Sequence, residues 1–257
     1  MKELIVVKVG GNALDSLNTD FFEQLHVWQS EGKKILLIHG GGPMISKLCQ
    51  QLDIPVLKKN GVRVTDEKTL TLTKLVLLGQ TQPLLLQKLS DHQLAVSGLN
   101  AAMNNMLEGT YLDENGYGQV GVITSVNQEA LTPILNGKIG VLAPLALTKD
   151  GNWLNVNADE AAAAVASLLG AQALYLMTDV AGVLDEGKII RRLNRKSATD
   201  LTAKKIITKG MQPKIKAAFK ACSAGVKKIS ITNKLQVPGT IITKEDTDDD
   251  EACIFNV

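Results

Sequence analysis

Several short stretches place a cation or a glycine-rich turn where a phosphate could be held. Lys8 stands in Val7-Lys8-Val9-Gly10-Gly11-Asn12, near the C-terminal end of an apolar run. Open parallel sheets bind ligands outside such strand ends. There the Lys8 ammonium could meet a phosphate while the amides of Gly10 and Gly11 approach it closely. The same residues would also make a tight turn with a lysine reaching out to water. His39-Gly40-Gly41-Gly42-Pro43 is more specific. Consecutive glycines give up backbone entropy on folding. That cost makes sense where the chain presses against an anion and offers free N–H groups at a helix N-terminus; a flexible turn is the plainer reading. His39 has no acid–base partner beside it in sequence and reads as structural.

Three further stretches carry polar groups. Lys214, in Gly210-Met211-Gln212-Pro213-Lys214, falls in the first turn of a predicted helix. A cation there opposes the macrodipole, so an anion is expected to join it. Asn155-Val156-Asn157-Ala158-Asp159 opens the most apolar helix of the chain. Asp159 suits a helix N-terminus, but two asparagines and an aspartate exceed what a cap needs. Arg63, in Asn60-Gly61-Val62-Arg63-Val64-Thr65, could fork a carboxylate from a strand or sit solvated at the surface. Two lysines, two glycine-rich turns and an aspartate together fit phosphoryl transfer, which needs chiefly positioning and charge neutralisation.

Two nucleotide motifs fail. No G-x-x-x-x-G-K-[ST] is present, which excludes a P-loop. Gly116-Tyr117-Gly118-Gln119-Val120-Gly121 matches G-x-G-x-x-G by letter. Polar Asp113-Glu114-Asn115 precedes it and Val122-Ile123 follows, so it reads as hairpin turns and not as a dinucleotide site.

The elements that must position these residues alternate along the chain. Strands are predicted at Leu4 to Val9, Ile35 to Ile38, Leu94 to Ser97, Ile139 to Leu147, Ala173 to Met177 and Val226 to Ile231. Helices are predicted at Asp20 to Ser30, Pro43 to about Leu52, Gln128 to Leu135, Ala158 to Leu169 and Met211 to Ala224. Asp66 to Ser90 reads as mostly helical, with Pro83 kinking or restarting it. Asn60-Gly61 marks a hairpin, and Met103 to Thr124 reads as turn-rich with further hairpins. Strand, glycine turn and helix occur twice in the first 52 residues, the pattern of a parallel α/β sheet.

Composition narrows the class. With 257 residues the chain is long enough for one large domain or two lobes on a shared sheet. A net charge of +2 and 4% aromatic residues give neither a basic field nor stacking platforms, so neither nucleic acid nor membrane is expected as a partner. Cys49, Cys222 and Cys253 show no metal-ligand spacing and no disulfide framework. The apolar stretch Ala161 to Met177 is too short and too interrupted to span a bilayer, and a cytoplasmic location is expected. The acidic run Lys244 to Glu251 is assigned no function.

Taken in order, Lys8-Val9-Gly10-Gly11, His39-Gly40-Gly41-Gly42-Pro43, the segment Asn60 to Thr65, the segment Asn155 to Asp159, Thr178-Asp179-Val180-Ala181-Gly182-Val183 and Gly210 to Lys214 resemble the amino-acid kinase family, in its acetylglutamate kinase branch. The likeness runs from about Leu4 to Ile242. It implies a three-layer αβα sandwich around a mainly parallel sheet. Residues 1–170 would form the lobe for the acyl amino acid and for dimerisation, and residues 171–257 the lobe for ATP. The implied reaction is MgATP-dependent phosphorylation of the γ-carboxylate of N-acetyl-L-glutamate, a step of arginine biosynthesis. The metal would be held mainly by the nucleotide phosphates.

The resemblance also implies roles. Lys8 and Lys214 would stabilise the transferring group from the acceptor and leaving sides, and Asp159 would hold both lysines. Gly10, Gly11, Gly41 and Gly42 would donate amides to phosphate and substrate. Arg63 and Asn155 would hold the substrate, with Arg63 forking its α-carboxylate. Asp179, Val180, Ala181, Gly182, Val183 and Leu184, with Ile206, Ile207 and Thr208, would line the nucleotide site. The attacking carboxylate is already ionised at neutral pH, so no general base is needed.

Gly98-Leu99-Asn100-Ala101-Ala102-Met103 and Gln82-Pro83 depart from the branch's usual Gly-x-Asp-Gly and Asn-Lys. No N-terminal helical extension precedes the first strand, so a homodimer without arginine feedback is expected. Two other readings share most of the motifs. A sister kinase would act on carrier-protein-linked aminoadipate or glutamate. An inactive amino-acid- or nucleotide-binding regulator would be expected to lack Lys8, Asp159 or Lys214, all of which are present.

Overall fold

The structure is a computed structural model that describes residues 1–11, 14, 17–207 and 210–244. Its first strand, β1 (Leu4–Val9), is buried along its whole length. A strand covered on both faces has no polar alternation to show. Helix α1 (Thr19–Ser30) starts where the Asn18 side chain accepts from the Phe21 N–H, and it buries Phe21, Phe22, Leu25 and Trp28. Such a cap contributes about 1 kcal/mol. Strand β2 (Lys34–His39) leads into α2 (Gly42–Gln51). The hairpin β3 (Lys58–Lys59) and β4 (Val62–Arg63) turns at Asn60 and Gly61, whose φ values of 50° and 80° are those of the turn that an Asn-Gly pair favours.

Helices α3 (Glu67–Val76) and α4 (Gln82–Asp91) are separated by a π-helical turn at Leu77–Thr81, so the expected break lies just before Pro83. There follow β5 (Val96–Leu99), β6 (Leu107–Tyr111), a short α5 (Glu114–Tyr117), β7 (Gly121–Val126) and α6 (Gln128–Leu135). Next come β8 (Ile139–Leu142), β9 (Leu145–Leu147), β10 (Trp153–Asn155), α7 (Ala158–Leu168) and β11 (Ala173–Met177). The small strands β12 (Leu184–Asp185), β13 (Lys188–Ile189) and β14 (Arg192–Leu193) precede α8 (Arg195–Ala203) and α9 (Gln212–Ser223). The chain closes on β15 (Lys228–Thr232) and β16 (Thr240–Ile242).

The main sheet has the order β14-β16-β15-β11-β1-β2-β8-β5. Its pairings are parallel except β15 with β16. Because side chains alternate across a strand, β1 sends Val6 into a core shared with Leu36, Leu174 and the alanines of α7 and α9. It sends Val7 into a second core with Leu37, Tyr175 and the apolar faces of α1 and α4. The result is the expected α/β three-layer sandwich.

Several expectations need correction. Ile139 to Leu147 is not one strand. It breaks at Ala143-Pro144, where proline has no N–H for a ladder. Strand β8 stays in the main sheet, while β9 enters a second sheet of order β10-β9-β6-β7 that the sequence reading did not foresee. The strand expected at Leu94 to Ser97 begins two residues later, and β16 lies beyond the last strand expected. Gly116 to Gly121 is not a simple turn, because α5 occupies its start. Thr208 and the acidic run from residue 245 onward lie outside the described residues. No helix among the described residues is long and apolar enough to cross a membrane.

Candidate active site

The glycine turns after β1 and β2 press on one another. A Cβ on Gly11 would sit 3.3 Å from the Gly41 backbone, and one on Gly40 would sit 3.1 Å from the Gly11 nitrogen. Gly41 itself is packed against the π-turn, with the Leu77 side chain 2.8 Å from where its Cβ would be. Backbone must approach backbone here, so small residues follow. A cavity of about 420 Å³ opens beside these turns, and Lys8, Gly11, Gly41, Gly42, Arg63, Asn155 and Asp159 line it.

Three charges separated in sequence meet at its wall. Asp159 in the first turn of α7 takes Lys8 Nζ at 3.1 Å and Lys214 Nζ at 2.8 Å on one oxygen, Oδ1. Lys214 also donates to the Met177 carbonyl at the end of β11, at 3.4 Å. Both lysines are buried. Burial pushes the Asp159 carboxyl up, but the Coulomb pull of Lys8 and Lys214 and their hydrogen bonds outweigh it and hold the group below its usual value. Burial pulls Lys214 down to about 8, further lowered by Lys8 and only partly restored by Asp159. Asp159 is thus an anion beside Lys214, but one shared with Lys8.

The remaining polar residues divide the work. Asn157 is the cap of α7, accepting from the Asp159 and Glu160 N–H groups at 2.9 and 3.2 Å. Asn155 is not needed for that cap, and its Nδ2 donates to Thr65 Oγ1 at 3.0 Å. Arg63 Nη2 donates to the Gly42 carbonyl at 3.0 Å and to Ser46 Oγ at 2.8 Å, which fixes the guanidinium. Its Nη1 is buried without a partner. Burial lowers the Arg63 pKa from its usual value. A fixed, desolvated guanidinium with a spare donor is suited to a carboxylate. Val62, Val120, Leu77 and Pro144 give the cavity an apolar side.

The structure brings together the residues expected at the acceptor and the transferring group, but not those expected at the nucleotide. Gly10, the segments 179–184 and 206–207, and Lys214 do not line the cavity, although Lys214 is bound to Asp159, which does. The 179–184 segment leaves the C-terminal end of β11 and packs on residues 239–240, with Val183 N–H donating to Thr240 Oγ1 at 2.8 Å. Ile207 and Val183 have buried side chains. His39 is fully buried and stays structural; burial pushes it down to about 4, against a raising contact with the Gly40 carbonyl. Lys58 lines the cavity and was missed. Its register partner across the hairpin is Arg63, and cross-strand partners share a face, so the Asn60-Gly61 turn held the signal.

The profile of the amino acid kinase family matches residues 3–233. An acetylglutamate kinase of Lactiplantibacillus plantarum is 51% identical over 245 residues, which cover 95% of this chain and 99% of that protein. One of Leuconostoc citreum is 44% identical over 95% of this chain and 100% of that protein. A crystal structure from Streptococcus mutans UA159 is 37% identical and superposes with a TM-score of 0.90, covering 95% of this chain and 100% of that one. At 15% identity and a TM-score of 0.67, a carbamate kinase from Giardia lamblia shares the fold. With its glycine turns and Lys8 in one cavity, Lys8 and Lys214 paired on Asp159, and relatives matched along almost their full length, this chain belongs to the amino acid kinase family.

Proposed function

We propose that this protein transfers the γ-phosphoryl group of ATP to the γ-carboxylate of N-acetyl-L-glutamate. The observation that carries the reading is the buried Lys8–Asp159–Lys214 cluster, whose Lys8 and Asp159 line the same cavity as Arg63 with its unpartnered Nη1. Arg63 and Asn155 hold the α-carboxylate end of the acceptor, and the apolar wall of Val62, Val120 and Leu77 takes the acyl group. Gly41 and Gly42 offer amides to the acceptor, Gly10 and Gly11 to the phosphates. Lys8 neutralises charge on the acceptor side of the transferring group and Lys214 on the leaving side, while Asp159 keeps both in place. The acceptor carboxylate attacks in its ionised form, so this chain supplies charge and position and no general base.

The segment Asp179 to Leu184, which follows β11, and the segment Ile206 to Thr208 bind the nucleotide. Residues 1–170 serve the acceptor and residues 171–257 the nucleotide. Magnesium travels on the nucleotide phosphates, because Asp159, the one carboxylate lining the cavity among the described residues, already accepts two ammonium groups. Exposed Leu75 on α3 and Leu84 on α4 support a homodimer through these helices.

The test is ATP-dependent hydroxamate formation with a panel of amino acids and acyl amino acids. N-acetylglutamate should turn over far faster than glutamate, whose ammonium would have to be desolvated against the apolar wall. Equal rates with the two would refute the assignment.

A further inference from the structure

Thr65 is fully buried and lines no part of the cavity, yet it is bonded to both residues assigned to the acceptor. Its hydroxyl donates to the Arg63 carbonyl at 3.0 Å and accepts from Asn155 Nδ2 at 3.0 Å. Its N–H donates to the Tyr117 carbonyl at 2.9 Å, and its carbonyl accepts from the Gln119 N–H at 2.7 Å. The Gln119 carbonyl in turn accepts from the Asn155 N–H at 2.9 Å. Arg63 and Asn155, on different sheets, are thus joined through one side chain and one strut.

The strut is the G-x-G-x-x-G stretch that no nucleotide reading absorbs. Gly118 has φ +67°, and a Cβ there would lie 2.4 Å from the Thr65 carbonyl, so only glycine permits this approach. The tip of the β3–β4 hairpin is tied to the same stretch. Lys59 Nζ donates to the Gly116 carbonyl at 2.7 Å, and Asn60 Nδ2 donates to the Tyr117 hydroxyl at 3.4 Å.

We propose that Thr65 is a positioning residue for acceptor binding, its hydroxyl fixing the Arg63 backbone and the Asn155 amide in one geometry; this rests on the acceptor reading above. A hydroxyl used as donor and acceptor at once settles which end of the Asn155 amide faces it. Removing it leaves the Asn155 amide free to rotate and the Arg63 carbonyl without that donor. The loss falls on acceptor binding and spares the lysine cluster.

Thr65→Val keeps the shape and deletes the hydroxyl. The KM for N-acetylglutamate should rise about 10-fold, the size of one lost hydrogen bond. The KM for ATP should stay within about twofold, and Thr65→Ser should restore the acceptor KM. In the double variant with Asn155→Ala the two penalties should fall short of their product, because the residues share one bond. An unchanged acceptor KM, an equal rise in both KM values, or penalties that multiply would overturn the proposal. Substrate-free side-chain ¹⁵N NMR separates it from the functional reading. The Asn155 amide should be rigid in the wild type and mobile in Thr65→Val, and equal mobility in the two removes the lock. Wild-type protein that leaves N-acetylglutamate untouched would overturn the functional reading, with the NMR result still deciding Thr65. If Thr65→Val does not fold, the same kinetic and NMR comparison is made between Thr65→Ser and Thr65→Ala.

Discussion

Asp159→Asn removes one charge and almost no volume, and its effect follows from the distances. At 2.8 and 3.1 Å, each lysine contributes on the order of 5 kcal/mol of gross attraction at an effective dielectric near 20. Most of that offsets the water both groups have lost. Taking away the shared anion leaves two buried ammonium groups repelling one another, a change of roughly 3–5 kcal/mol when a buried pair is broken. The cheaper escape is loss of a proton. Lys214 already stands at about 8 with Asp159 raising it, so without the carboxylate it falls further and becomes neutral near physiological pH. The variant should lose about 10²-fold or more in kcat at pH 7.5, the scale of one preorganised charge. Its remaining activity should climb as pH is lowered toward 6, whereas wild-type activity should not. Steady-state kinetics from pH 6 to 9 on both proteins provide the check. A variant within a few-fold of wild type at pH 7.5, or one with the wild-type pH profile, would refute the account of the cluster as a charge-setting device.

Two further outcomes follow. Arg63→Ala should raise the acceptor KM by roughly 10²-fold with a smaller effect on kcat, since a fixed guanidinium binds ground state and transition state alike; an unchanged KM in the same assay would displace Arg63 from its role. His39 is buried neutral, with its folded value near 4 against 6.5 unfolded, so the unfolded chain binds the proton first on acidification. Its contribution is complete above pH 6.5 and is lost as pH falls toward 4, by up to roughly 3 kcal/mol. Urea unfolding at pH 7.5, 5.5 and 4.5 should therefore show a steeper acid loss in wild type than in His39→Phe, and equal slopes would remove His39 from the account.

Much of the scaffold was legible because its signals are local. Buried runs such as Leu4 to Val9, the Asn60-Gly61 turn, and Pro43 after three glycines each specify their own conformation within a few residues. The second sheet was not legible. Its strands are short, and β9 follows β8 with only Ala143-Pro144 between them. Periodicity gives no sign that the two belong to different sheets. Gln82 shows the same limit. Its Nε2 donates to the Leu99 and Val141 carbonyls, both at 2.8 Å, tying α4 to the ends of β5 and β8 near that break. A buried amide bridging two strands depends on contacts 17 and 59 residues away. The role of Thr65, though its motif stood out, was hidden for the same reason, since its partner Asn155 is 90 residues distant.

The helix starts explain why charge gathers at this edge of the sheet. Helix α7 spends its N-terminal donors on the Asn157 side chain and places Asp159 and Glu160 in its first turn. Helices α2 and α9 have no side-chain cap at all. Their first turns keep unspent N–H groups, and α9 adds Lys214 to an end that is already positive. Left alone, that combination is unfavourable, and Asp159 offsets it by lending one carboxylate oxygen to α9 and to β1 together. One anion shared between two cations leaves the cluster with a net positive charge beside the cavity. A bound phosphate would relieve it, and would raise Lys214 back toward its ordinary value. The cluster is therefore incompletely satisfied without a phosphate, which is the state a phosphoryl-transfer site requires if binding energy is to grow as charge spreads over the transferring group.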